Sequence, residues 1–386
     1  MTLMQGFPPA PELQVTLANW RTAPYCSWAF HHVREIVPSA EIANDPDNVW
    51  TLPDGELDLS GADLEQGLAP LQNDALVILH KGRLVHESYR NGMTASDPHI
   101  LMSVSKSMLG LLAGISVDRG EIDLAAPLTE YIPELAGTAY SGANVRDALD
   151  MRVGVRFDED YFVTKGPIID YRYAANWNPV PDGVSPMDLR SFQLSLKDRD
   201  GDHGGRFHYV SPVTDLLAWV LERASGQRYA DLFSERIWQP LGAERPGYIT
   251  VDRTGAPRGA GGKCFTAQDL ARVGQMMVQG GAREGQQIVP ESWIQDIAGN
   301  GDAQAWRDGD FYEDFGRMEL SYRSKWYVRP KGDGLIHGLG IHGQYLFVDP
   351  AREMVIAMFS SEGKPIDDAQ TAYVFALVEK IRSTVG

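Results

Sequence analysis

Strand-type sequence stands at both ends of the chain and helix-type sequence in its middle, and this arrangement restricts the available folds. Ala75–Leu79 is a short apolar run, His80-Lys81-Gly82-Arg83 reads as a turn, and Leu84–Tyr89 continues with β-type residues. The pattern returns near the C-terminus as Tyr345–Val348, the turn Asp349-Pro350-Ala351-Arg352, and Met354–Phe359. Lys325–Val328 is a further strand candidate, and Ala369–Ile381 carries apolar residues at helical spacing. Between these ends Val104–Val117, Val145–Met151, Val213–Ala224 and Thr266–Gln279 read as helices, the last with Thr266 as N-cap. The economical solution is an α/β architecture. One antiparallel sheet is drawn from both termini (1–124 and 276–386) and flanked by helices, and a mainly helical domain (125–275) is inserted. A cleft is expected where the two regions meet.

Composition removes several function classes. The chain has 386 residues, enough for a sizeable core, with 43% apolar and 23% charged residues. Its net charge of -17 would repel a phosphate backbone, so no nucleic-acid partner is expected. Two cysteines, Cys26 and Cys264, allow no disulfide framework and form no Cys-x-x-Cys pair. The longest apolar stretch, Met108–Val117, is too short to span a bilayer, and the first residues lack the pattern of a signal peptide. The expectation is a cytoplasmic protein with no membrane partner. Residues 1–70 have weak periodicity and read as an irregular but ordered arm, because Trp20, Trp28, Phe30 and Trp50 require burial.

The sharpest motif is Ser103-Val104-Ser105-Lys106, opening an apolar helix. Residues three apart share a helix face, so the Lys106 amine can sit beside the Ser103 hydroxyl. Lysine acts as a base only when neutral. Lowering its pKa to about 7 costs roughly 4.6 kcal/mol, within the range that full burial supplies. The helix start offers N–H groups where an oxyanion develops. Tyr209-Val210-Ser211 follows a glycine-rich loop; a phenolic oxygen near Lys106 would carry phenolate character and relay a proton. Gly338-Leu339-Gly340-Ile341-His342-Gly343-Gln344 enters a C-terminal strand, read as an edge strand able to lend one N–H to the oxyanion hole. No Gly-x-Ser-x-Gly elbow, His-Glu-x-x-His or phosphate loop is present, and no third ligand accompanies His31-His32 or His337 and His342, so no metal is expected.

In this order and spacing the motifs resemble those of the serine β-lactamase/penicillin-recognising superfamily, in its class C-like esterase branch. Leu101–Ser107, Glu130–Gly137, Glu159-Asp160-Tyr161, Asp269–Gly274 and Gly340–Gln344 resemble segments of the 6-aminohexanoate-dimer hydrolases. The resemblance implies a β-lactamase-like fold. It assigns Ser103 as nucleophile, Lys106 as general base and Tyr209 as proton relay, with the backbone N–H groups of Ser103 and Ile341 as oxyanion donors. Tyr161, Arg172, Ser211, Ala260 and His342 are carried over as substrate-binding positions. It implies no cofactor, and related folds are often homodimers.

Two positions depart from the pattern. Arg172 falls where efficient nylon-oligomer hydrolases carry an aspartate, and Ala260 where they carry an asparagine. An arginine would repel a substrate ammonium and attract a carboxylate. The expected activity is therefore a serine hydrolase forming an acyl-enzyme on small carboxylic esters, with linear amides such as 6-aminohexanoate oligomers as a second class. The alternative is a β-lactamase or D,D-peptidase, against which stand a missing Lys-Thr-Gly element and a missing export signal.

Overall fold

A computed structural model describes residues 2–330 and 332–385. Seven antiparallel strands form the main sheet: β1 (Asn73–His80), β2 (Arg83–Tyr89), β3 (Ser321–Arg323), β4 (Trp326–Val328), β5 (Ile336–Gly340), β6 (Gln344–Asp349) and β7 (Met354–Ser360). Their order is β2-β1-β7-β6-β5-β4-β3, so the N-terminal hairpin docks on the last strand of the chain. Ile78 lies opposite Ile356 and Val77 opposite Ala357. The β1–β2 turn places Lys81 and Gly82 at φ 50° and 72°, the geometry that suits the twist of a two-residue hairpin.

Side chains alternate across the sheet, which fixes what covers each face. Leu76 and Ile78 join Phe347, Ile356 and Met358 beneath the C-terminal helix α5 (Asp368–Arg382). Ala75, Val77 and Leu79 point into the larger core. There helix α4 (Ala267–Val278) packs on β7, β6 and β1, started by Thr266, whose side chain accepts from the Asp269 amide. Helix α1 (Val104–Asp118) is buried on all sides from Val104 to Ser116, because it lies between β4–β6 and helix α3 (Ser211–Ser225). That explains its unbroken apolar sequence.

A second sheet joins chain segments that the sequence reading kept apart. Its order is Ser39–Ile42, Gly247–Thr250, Lys263–Phe265, His99–Ile100. Two of these strands lie inside the expected helical domain 125–275, yet Gly247–Thr250 pairs with Ser39–Ile42 of the N-terminal arm and Lys263–Phe265 with His99–Ile100. The boundary at 275 also falls within α4, which belongs to the main sheet's cover. Pairing of such short strands is long-range, so no local periodicity marked it. The arm is otherwise irregular as expected. Trp20, Phe30 and Trp50 are buried, and Trp20 Nε1 donates to the Trp177 carbonyl at 3.0 Å, while Trp28 is half-buried and stacks on His32. Both cysteines are buried free thiols. Among the described residues no helix is long and apolar enough to cross a membrane.

Candidate active site

The nucleophile candidate is delivered by a tight turn. His99–Ile100 ends the second sheet, the Leu101 amide donates to the Lys263 carbonyl at 2.8 Å, and Met102 takes the left-handed region at φ 44°. For a buried, non-glycine residue that conformation costs energy, and the surrounding pairing holds it. Ser103 follows immediately and α1 begins at the next residue.

Lys106 is fully buried one helical turn on. Its Nζ lies 2.8 Å from Ser103 Oγ and donates to the Ala260 carbonyl at 2.8 Å. Burial is the chief cause of a pKa lowered to about 7; Glu159 acts against it and Arg258 with it. The amine is thus neutral in a large fraction of molecules near pH 7, with a lone pair available to the hydroxyl.

Ala260 enters the site through its backbone. Its amide donates to Asp215 Oδ1 at 2.8 Å, and Asp215 is bound on its other oxygen by Arg258 at 2.6 Å and by the Tyr171 hydroxyl at 2.5 Å. Tyr171 comes from helix α2 (Pro167–Ala174). The missing side chain at 260 therefore does not disturb the lysine, because a buried ion pair fixes the carbonyl it uses.

Tyr209 reaches the same place from the start of α3. The Lys106 Nζ is 4.9 Å from its ring centroid, its ring packs on Phe311, and its amide donates to Asp310 Oδ2 at 2.9 Å. The surroundings of the phenol work against phenolate character. Burial, then the Glu159 charge, raises the phenol well above its ordinary pKa, and the hydrogen bond to Ser103 only partly opposes this. This direction favours the protonated phenol, which can donate a hydrogen bond.

The expected edge strand is interior: β5 lies between β6 and β4. However, β4 pairs only with Ile336 and His337, so the Leu339-Gly340 end of β5 leaves that pairing and runs to the nucleophile. A Cβ on Gly340 would stand 2.9 Å from the Ser103 amide nitrogen and 2.7 Å from the Leu101 carbonyl. Only glycine permits this approach. Among the described residues neither the Ser103 nor the Ile341 amide donates to a protein acceptor, as two oxyanion donors require.

Ser103, Tyr161 and Ile341 line two spaces that meet at the hydroxyl. The larger, about 350 Å³, is walled by Tyr209, Phe311, Tyr345 and Phe375, with Glu362, Asp367 and Asp368 also among its lining residues. The smaller, about 30 Å³, holds Lys106, Arg21, Arg172 and Arg258. Ser211 lines the small space and is bound at both its amide and its hydroxyl by Glu159, which also accepts from the Tyr161 hydroxyl at 2.5 Å. His342 lines neither space. It is buried, donates from Nδ1 to the Glu362 carbonyl at 2.7 Å, and burial lowers its pKa to about 4. Glu159, Asp215, Arg258 and Asp310 had not been singled out as site residues. Each acts by holding another group, and most of these partners, such as Glu159 with Ser211 and Asp215 with Arg258, lie far apart in sequence.

A beta-lactamase family model matches residues 63–379. The chain belongs to the beta-lactamase family. Within this family it is 38% identical to the 6-aminohexanoate-dimer hydrolase of Paenarthrobacter ureafaciens over 363 residues, covering 93% of this chain and 91% of the relative. Over 159 residues, 39% of this chain and 38% of the relative, it is 28% identical to the esterase EstB of Burkholderia gladioli. A Bacillus anthracis structure assigned as a 6-aminohexanoate-dimer hydrolase superposes with a TM-score of 0.87 at 28% identity, covering 97% of this chain and 98% of the other. This beta-lactamase-family chain is a hydrolase with the expected β-lactamase-like fold.

Proposed function

We propose that the protein is a serine hydrolase that forms an acyl-enzyme at Ser103 on small carboxylic esters, with linear amides as slower substrates. The observation carrying this reading is the 2.8 Å contact between Ser103 Oγ and a buried Lys106 Nζ whose pKa is lowered to about 7.

Ser103 Oγ adds to the ester carbonyl as neutral Lys106 takes its proton. The oxyanion is met by the N–H groups of Ser103 and Ile341. The C–O bond to the alkoxy group breaks, and Tyr209 hands that oxygen a proton, itself resupplied by Lys106. Water then adds to the acyl-enzyme by the same route and releases the acid. Tyr161, tethered to Glu159, stands over the junction where the scissile bond would lie.

With p-nitrophenyl butyrate, Ser103→Ala is expected to abolish release of nitrophenolate, and a fluorophosphonate is expected to label the wild-type protein at Ser103 alone. Undiminished turnover by the alanine variant would overturn the proposal.

A further inference from the structure

The two spaces meeting at Ser103 differ in electrical character, and this narrows the substrate class. The small one is cationic. Arg258 is neutralised by Asp215 at 2.6 Å. Arg21 donates to the Trp177 carbonyl at 3.4 Å and to the Asn178 side chain, and Arg172 to the Tyr161 carbonyl at 3.2 Å. Among the described residues no carboxylate lies within ion-pair distance of Arg21 or Arg172, and Arg21 Nε is buried without an acceptor. Crowding by Arg172 and Arg258, after burial itself, lowers the Arg21 pKa to about 9. Among the described residues Glu159 is the one acidic side chain lining the space, and it is occupied by Tyr161 and Ser211. With Lys106 neutral, one guanidinium charge stays unmatched.

The proton relay gives the direction. Tyr209 lines the large cleft and not the small space, so a leaving group that takes its proton from Tyr209 lies in the large cleft. The acyl half then enters the cationic space. About 30 Å³ of room holds roughly two water-sized groups, the measure of a carboxylate's oxygens.

Resting on the serine-hydrolase reading, we infer that the preferred substrates are monoesters of short dicarboxylic acids, whose free carboxylate is clamped by Arg21 and Arg172 while an apolar alcohol occupies the large cleft. Ser103 Oγ forms a bond to the ester carbonyl carbon, the alkoxy bond breaks, and the alcohol leaves with a proton from Tyr209. Water then releases the dicarboxylate. The linear 6-aminohexanoate dimer has the opposite polarity: its acyl half ends in an ammonium and its leaving half in a carboxylate, which would face the acidic residues lining the large cleft.

The test compares monobenzyl succinate, benzyl butyrate and 4-carboxybenzyl butyrate by release of the alcohol. In wild type, kcat/KM for monobenzyl succinate is expected to exceed that for benzyl butyrate by about tenfold or more, the scale of a charge-assisted clamp. The carboxylate on the alcohol side should bring no gain. Arg172→Gln and Arg21→Gln should each reduce the succinate-to-butyrate ratio by about tenfold. Should either variant fail to fold, wild-type inhibition serves instead, with succinate expected to compete at lower concentration than butyramide. Equal rates on the first two esters, preference for 4-carboxybenzyl butyrate, or equal inhibition would overturn the inference and leave the hydrolase reading standing. Absence of hydrolysis of all three esters together with no fluorophosphonate labelling would overturn the hydrolase reading itself.

Discussion

Gly340→Ala tests whether the end of β5 serves catalysis or only packing. The added Cβ would stand 2.9 Å from the Ser103 nitrogen and 2.7 Å from the Leu101 oxygen. Both atoms are backbone, so neither can swing aside as a side chain would. Relative to an ordinary separation of about 3.5 Å the shortfall is roughly 0.6–0.8 Å, so β5 must move by a comparable amount. Ile341, the next residue, would carry its N–H out of reach of the oxyanion. Loss of one such donor costs about 2.7–4 kcal/mol, or roughly 10²–10³ in kcat. Overpacking should cost folding only about 1–3 kcal/mol, a fall of a few degrees in Tm. The assay is kcat on p-nitrophenyl butyrate beside a thermal melt, with fluorophosphonate titration counting intact sites. A folded variant that keeps the wild-type kcat would refute Ile341 as an oxyanion donor.

Three further outcomes are expected. With a neutral ester, kcat/KM should rise with pH through an inflection near 7, because Lys106 works deprotonated and its pKa is lowered to about 7; a flat profile from pH 5.5 to 8.5 would contradict its role as base. Tyr209→Phe should lower kcat by about 10²–10⁴ with little change in KM, since the lost group donates a proton in the transition state; steady-state kinetics decide it. Asp215→Asn leaves Arg258 buried without its counter-charge and should cost about 3–5 kcal/mol, read as a lower urea midpoint, and it should also slow turnover because Ala260 loses its anchor.

The sequence was most informative where chemistry follows from local spacing. Ser103 and Lys106 share one helix, so their contact was legible from a three-residue interval. The terminal hairpins carried apolar or β-type runs and turn residues, and their strands run as expected with slightly longer ends. What stayed hidden depends on long-range pairing. The second sheet is made of strands of two to four residues, too short to show a period. The upward push on the Tyr209 phenol follows from three-dimensional burial, so a tyrosine in a string of letters cannot reveal it. The Arg258–Asp215 brace under Ala260 joins positions 43 apart. Arg172 showed its preference for an anion in sequence, but its convergence with Arg21 did not, since the two lie on the irregular arm and on α2.

The docking of β1 against β7 has a consequence for biosynthesis. While the ribosome is still translating the middle of the chain, the N-terminal hairpin presents an unpaired edge of Leu, Val and Ile. Ser103, the proposed nucleophile, is already made, yet the glycine-containing strand β5 that would complete the proposed oxyanion hole has not been synthesised. On the proposed mechanism, hydrolytic competence arrives only with the last portion of the polypeptide, and a prematurely terminated product would be inert and prone to stick to its neighbours.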